Sequence, residues 1–94
     1  MALVKNIEKR IWDIEGFDVA IKHPRGRDVR SDKTKLPMYP FQRAERNDHS
    51  VKQWRESRFY PNYPGFEVNV LDGYGYVVRG NTRLGTVRDT YLEE

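Results

Sequence analysis

Residues 10–22 read RIWDIEGFDVAIK, and the spacing of their apolar side chains carries the first prediction about the fold. After Gly16 the large apolar residues fall on odd-numbered positions, whereas Trp12 and Ile14 before it fall on even-numbered ones. Alternation with a period of two is typical of a half-buried β-strand. A change of phase at a glycine indicates either a bulge within one strand or a tight turn between two. We expect one long, bent strand over 10–22, and residues 2–11 could form either a helix or a strand.

The clearest helix signal begins at Ser50. Ser50 and Gln53 have the spacing of a capping box, in which each side chain accepts a hydrogen bond from the other residue's backbone amide. Apolar residues then recur at helical spacing, and Pro61 would end the helix. This pattern predicts a helix over about 51–59 with Trp54 as its main buried anchor.

Residues 66–78 have the pattern of a β-hairpin. Apolar side chains alternate with polar ones at its start, residues 72–75 (DGYG) supply turn chemistry, and residues 76–78 continue as the partner strand. Residues 86–89 could begin a short final helix or belong to a last strand.

These elements together predict an α+β fold in a single domain that spans residues 1–94. We expect an antiparallel sheet of three to five strands, with the helix at about 51–59 as the one principal helix packed on one face. Residues 23–47 contain three prolines and few apolar side chains, which predicts a long irregular loop. Loops of this length are uncommon in small domains unless they are functional or mobile, so we expect the functional segment here.

The composition restricts the classes of function. The chain has 94 residues, enough for one core, and its aromatic content of 13% can supply that core. It has no cysteine, which excludes disulfide bonds and thiolate chemistry, and its two histidines have no metal-ligand spacing. We expect no cofactor, no metal and no catalytic site. No apolar run approaches the roughly 20 residues that span a membrane, and no signal peptide is evident, so we expect a cytoplasmic protein without membrane contact.

Basic residues are concentrated in residues 22–35, here called the basic segment. Six basic residues face two aspartates there, a local charge of +4, whereas the whole chain carries +3. Such a local excess is where an anionic partner would bind, because arginine and lysine pair with phosphate groups. The same charges could equally belong to a solvated loop. The candidate residues for an anionic partner are Lys22, Arg25, Arg27, Arg30, Lys33 and Lys35.

Aromatic residues that follow the basic segment form a second candidate site. Nucleic-acid bases stack on such rings, at roughly 1–3 kcal/mol per base. In a chain with little leucine or methionine the same rings could instead form the core. Two of them belong to Pro-x-Tyr-Pro repeats at residues 37–40 and 61–64, which favour extended backbone. The candidates are Tyr39, Phe41, Tyr60 and Tyr63.

Three functions are compatible with these features. We expect a non-catalytic interaction module that binds an unknown protein partner, or itself as a homo-oligomer, through the long loop and the aromatic-proline segments. The first alternative is a nucleic-acid-binding module that uses the basic segment. The second is a small metal-independent ribonuclease that depends on a histidine or a tyrosine. The nucleic-acid function would gain support if the fold placed Arg79, Arg83 and Arg88 beside the basic segment.

Overall fold

The computed structural model of the protein describes residues 3–22 and 36–92. The elements follow one another in the order α1 (Val4–Glu15), β1 (Asp18–Lys22), α2 (Val51–Trp54), β2 (Glu67–Leu71) and α3 (Leu84–Asp89). A π-helical turn, Arg55–Phe59, continues the second helix, and a 3-10 turn, Thr90–Leu92, follows the third. No helix within the described ranges is long and apolar enough to cross a membrane.

The N-terminal part of the chain is a helix followed by a short strand, so the predicted bent strand over 10–22 is wrong. Helix α1 buries Val4, Ile7 and Ile11, which recur at helical spacing. Gly16 ends the helix in the left-handed conformation, at φ 82°, and its amide donates to the Trp12 carbonyl oxygen at 3.0 Å. The change of apolar phase at this glycine is therefore a helix end.

The sheet has two antiparallel strands among the described residues, so the prediction of three to five strands is wrong. β1 and β2 pair from Asp18 opposite Leu71 to Lys22 opposite Glu67. Residues 76–78, predicted as a further strand, form only an isolated bridge between Leu71 and Val77, flanked by two backbone bonds: the Val78 amide donates to Val70 and the Asp72 amide donates to Tyr76. The turn at residues 72–75 lies where it was predicted. The segment after it pairs with β2 only as far as Val78, which is too short for a third strand.

The hydroxyl group of Tyr91 closes one end of this sheet. It accepts a hydrogen bond from the Asp18 amide at 3.0 Å and donates one to the Leu71 carbonyl oxygen. Asp18 and Leu71 are opposite each other in the register, so the hydroxyl group replaces a direct backbone bond between them. The C-terminal turn is thereby attached to both strands.

The predicted helix over 51–59 and its capping box are confirmed. The Ser50 hydroxyl group accepts from the Gln53 amide at 3.1 Å, and the Gln53 side chain accepts from the Ser50 amide at 2.7 Å. The second half of this helix widens into the π-helical turn, where the Tyr60 amide donates to the Arg55 carbonyl oxygen at 2.8 Å. This helix is not the one principal helix, because α1, with 12 residues, is longer.

The core is assembled around Trp54, which is fully buried as predicted. Its ring meets Phe17 edge to face, with 5.2 Å between centroids, and packs against Phe59 at 6.1 Å. Buried residues of α1, both strands and α3 complete the core. Residues 84–89 are helical, which decides between the helix and the strand considered for 86–89. Residues 36–47 are irregular, while the rest of the predicted loop, residues 23–35, lies outside the described ranges.

Removal of the helix cap should weaken the fold measurably. Ser50→Ala leaves the Gln53 amide without its side-chain acceptor, and we expect the free energy of unfolding to fall by about 1 kcal/mol in urea denaturation. Thr86→Ala is the matched control, because Thr86 is exposed within α3 and makes no side-chain hydrogen bond with a described residue. Equal stability of the two variants would contradict the role of the capping box.

Candidate functional site

Most of the predicted anion-binding site lies outside the described residues. Arg25, Arg27, Arg30, Lys33 and Lys35 all fall within 23–35, and only Lys22 is described. Lys22 is the last residue of β1 and is half-buried. The basic segment therefore remains a prediction.

The four predicted aromatic residues are divided between the core and its margin. Tyr39 and Tyr63 are each 1% exposed, so neither presents a ring face to a ligand. Phe41 and Tyr60 are half-buried. The guanidinium group of Arg58 covers the Phe41 ring at 4.3 Å, and the Tyr60 hydroxyl group donates to Glu67 at 2.7 Å. All four residues thus have a structural use within this fold.

The most unusual group in the structure is the buried carboxylate of Glu15, which sequence reasoning missed. Glu15 is 1% exposed and is the buried charged residue among the described positions. Its Oε2 accepts hydrogen bonds from the Tyr39 hydroxyl group and, at 2.7 Å, from Arg58 Nη1. Its Oε1 accepts from the Glu45 amide at 2.8 Å and from Arg88 Nη2 at 3.1 Å. With four donors the carboxylate is well compensated for its loss of water.

The two arginines that contact Glu15 also hold the surrounding backbone. Arg58 Nη1 donates to the Arg43 carbonyl oxygen at 2.6 Å, and its Nε lies 3.7 Å from the Glu45 carboxylate. Arg88 donates to the carbonyl oxygens of Glu15 and Glu45 at 2.6 and 2.8 Å. Two carboxylates and two guanidinium groups therefore balance each other's charge within one cluster, which we call the Glu15 cluster.

Tyr39 connects the Glu15 cluster to the core. Its hydroxyl group donates to Glu15 and accepts from the Trp54 indole Nε1 at 3.0 Å. Burial raises the pKa of Tyr39 above its ordinary value, and the adjacent Glu15 carboxylate raises the pKa further. The phenol therefore stays protonated and remains a donor. The Tyr63 hydroxyl group differs, because it is buried with no hydrogen-bond partner among the described residues.

A helical interpretation of residues 4–15 would have indicated Glu15 from the sequence. Val4, Ile7, Ile11 and Glu15 are three or four positions apart and therefore share one helix face. A carboxylate on an apolar face next to a terminating glycine indicates a buried partner. The strand prediction for residues 10–22 separated Glu15 from that face and concealed this signal.

An open depression of about 530 Å³ lies beside the Glu15 cluster, lined by residues that include Glu45, His49, Ser57 and Arg58. The Ser57 hydroxyl group donates to Glu45 Oε2 at 3.0 Å, and His49 Nδ1 lies 3.3 Å from the same oxygen without the alignment of a hydrogen bond. The carboxylate thus lies between the serine and the histidine. In this arrangement the imidazole cannot take the Ser57 proton directly, so the geometry is not that of a hydrolytic triad.

A second surface collects basic side chains around the start of α2, and we call it the basic surface. Three of its members are exposed and form no ion pair with a described residue: Lys52, Arg79 and Arg83. The fourth, Arg55, is half-buried. Arg88 does not belong to it, because its guanidinium group faces Glu15.

Backbone contacts hold the basic surface together. The Val51 amide donates to the Thr82 carbonyl oxygen at 2.9 Å, and the Lys52 amide donates to the Gly80 carbonyl oxygen at 2.8 Å. Arg55 Nη2 packs so closely on Gly80 that a Cβ there would lie 2.8 Å from it. Residues 79–83 are therefore fixed along the first turn of α2, and Arg79 and Arg83 belong to the segment that runs beside Lys52 and Arg55.

Comparison with known proteins finds no family model, no curated relative and no solved structure that matches the chain. Within residues 3–22 and 36–92 no group of three or more potential ligands could hold a metal ion. The basic surface and the depression beside the Glu15 cluster are the two candidate sites among the described residues.

Neutralising Glu15 should destabilise the protein strongly. Glu15→Gln keeps the shape but leaves Arg58 and Arg88 without their shared counter-charge, and we expect a loss of about 3 kcal/mol in the free energy of unfolding. Asp13→Asn is the control, because Asp13 is an exposed carboxylate two residues away that pairs with Lys9 on the surface. A similar, small effect of both substitutions in urea denaturation would contradict the structural role of the Glu15 cluster.

Two buried tyrosines should respond differently to removal of the hydroxyl group. Tyr39→Phe removes the bonds to Glu15 and Trp54, and we expect the free energy of unfolding to fall by about 2 kcal/mol. Tyr63→Phe removes a buried hydroxyl group that has no partner among the described residues, so stability should be unchanged or rise by up to about 1 kcal/mol. Thermal and urea unfolding measure both, and destabilisation by Tyr63→Phe equal to that by Tyr39→Phe would contradict this difference.

The Tyr63→Phe variant and the unsubstituted protein also give a pH test. Burial raises the pKa of Tyr63 above its value in the unfolded chain, so Tyr63 leaves the free energy of unfolding independent of pH below about pH 10 and lowers it as the pH rises above that value. Tyr63→Phe should therefore lose stability less steeply than the unsubstituted protein above about pH 10, by up to about 1.4 kcal/mol per pH unit. Parallel profiles of unfolding free energy against pH in the two proteins would contradict the raised pKa of Tyr63.

Proposed function

We propose that the protein is a non-catalytic nucleic-acid-binding module. The observation that carries the proposal is the basic surface, whose exposed cations form no ion pair with a described residue and lie on two backbone segments that are bonded side by side, while Arg58 and Arg88 are used internally. The proposal includes the basic segment as a further contact region and a cytoplasmic location, where RNA and DNA are accessible.

Phosphate groups suit this surface for two physical reasons. Arg79 and Arg83 have planar guanidinium groups that can each donate two parallel hydrogen bonds to phosphate oxygens. Cations without an ion-pair partner can also displace the counterions that surround nucleic acid, and the release of those counterions drives binding. Arginines that already neutralise a carboxylate, such as those of the Glu15 cluster, have fewer free donors for phosphate oxygens and displace fewer counterions.

A second candidate function is the binding of a protein partner or of a second copy of the chain. Four large apolar side chains in the C-terminal part of the chain favour it, because Tyr74, Tyr76, Val77 and Leu92 are between 60% and 73% exposed. The aromatic-proline segments support it less, since Tyr39 and Tyr63 are buried.

Charge removal from the basic surface should weaken salt-dependent binding. We expect the variant Lys52→Gln/Arg79→Gln/Arg83→Gln to bind labelled RNA and DNA at least about tenfold more weakly in fluorescence anisotropy at roughly 50 mM salt. The dependence of the logarithm of affinity on the logarithm of salt concentration should also flatten, by about 0.7–0.9 for each phosphate group that the variant no longer neutralises.

The control is Lys5→Gln/Lys9→Gln/Arg46→Gln, which removes the same charge from exposed residues elsewhere. It should bind nearly as the unsubstituted protein does. An equal decrease in affinity in both variants would show that net charge, and not the basic surface, determines binding. Absence of any binding at roughly 50 mM salt would refute the proposed function. Cleavage of the RNA probe that persists in EDTA would instead support the ribonuclease.

A further inference from the structure

An exposed aromatic ring lies three residues before Arg79 of the basic surface. Tyr76 is 72% exposed, the most exposed aromatic residue of the described ranges, and its side chain makes no hydrogen bond with a described residue. Tyr74, two residues earlier, is 61% exposed. A large ring that stays in water contributes little to the stability of the fold, so the exposure of Tyr76 leaves its ring available to a ligand.

The turn that carries these rings is firmly held. The Asp72 carboxylate accepts from the amides of Tyr74 and Tyr76 at 2.9 and 3.0 Å, and the Asp72 amide donates to the Tyr76 carbonyl oxygen at 2.9 Å. Gly73 packs on the last turn of the chain, where its amide donates to Thr90 at 2.7 Å and a Cβ would lie 2.2 Å from the Thr90 carbonyl oxygen. The backbone under Tyr76 is therefore fixed before any ligand arrives, and little entropy is lost there on binding.

Tyr76 also lies within reach of the basic surface. The contacts of residues 77 and 78 with β2 hold residues 76–79 in line, and three residues of extended chain span at most about 10 Å. A cavity of about 250 Å³ is lined by Arg79 but not by Tyr76, so the two side chains are joined by their closeness along the chain and not by a shared pocket. One oligonucleotide is long enough to reach both.

We propose that Tyr76 is a stacking platform for a nucleic-acid base and that it makes the basic surface selective for single-stranded nucleic acid. This inference rests on the nucleic-acid function proposed above. In a single strand the base faces are available to an aromatic ring, whereas in a duplex they are stacked on each other. The cations bind phosphates of either form, so selectivity between the forms comes from the ring.

The test compares Tyr76→Ala, Tyr76→Phe and Val77→Ala with a labelled single strand and a duplex of the same length. Tyr76→Ala should weaken single-strand binding on the order of tenfold and leave duplex binding and the salt dependence unchanged. Tyr76→Phe keeps the ring and should stay within about twofold of the unsubstituted protein. Val77→Ala is the matched control, since Val77 is also exposed, at 60%, but cannot stack. Photocrosslinking to a 5-iodouridine single strand should give an adduct on Tyr76.

Each contrary result has a distinct meaning. If the basic-surface variant binds weakly while Tyr76→Ala binds the single strand normally, the stacking platform is refuted and the proposed function stands. If the unsubstituted protein binds neither form, both are refuted. Self-association in sedimentation that disappears in Tyr76→Ala, without nucleic-acid binding, would refute the stacking platform and identify the turn as a contact between copies of the chain. Circular dichroism should confirm that all three variants fold, because the substituted side chains are exposed.

Discussion

The buried carboxylate of Glu15 is the constraint on which the rest of the structure depends. A charge in an apolar interior is tolerated only when donors surround it, and those donors must come from the neighbouring chain. Here they come from the irregular segment through Tyr39 and the Glu45 amide, from the π-helical turn through Arg58, and from α3 through Arg88. One carboxylate therefore attaches three separate parts of the chain to the end of α1.

This constraint also explains how the cations are distributed. The two arginines that meet Glu15 are committed to its charge and to nearby carbonyl oxygens, and they have little capacity left for a ligand. Arg79 and Arg83 lie beside the first turn of α2, where backbone bonds to the helix hold their segment without using their side chains. The fold thereby separates structural cations from those that remain available. The functional proposal depends on this separation.

Local features of the fold were predictable from the sequence, and the non-local ones were not. The capping box at Ser50 and the helix after it depend on residues three positions apart, so their signal is contained in one short window. Residues 2–11 could form either a helix or a strand on sequence alone, and the last turn of the first helix was wrongly predicted as strand because a short apolar run at a glycine fits both a helix end and a strand bulge. The contacts of Glu15 join residues 24, 43 and 73 positions apart, and no pattern of spacing encodes such a meeting. The position of Arg79 and Arg83 beside α2 is equally non-local, so the sequence marks these residues as basic without indicating the surface they form.

The most direct test of the nucleic-acid proposal is a two-dimensional ¹H–¹⁵N NMR titration of the whole chain with a short single-stranded oligonucleotide. This experiment reports on the backbone amides of the whole chain at once and does not depend on any substitution. We expect chemical-shift changes to concentrate in residues 51–55 and 76–83, with further changes in the basic segment, and to disappear in high salt. Changes confined to the depression around Glu45 and His49, or no changes at all at low salt, would contradict the proposal.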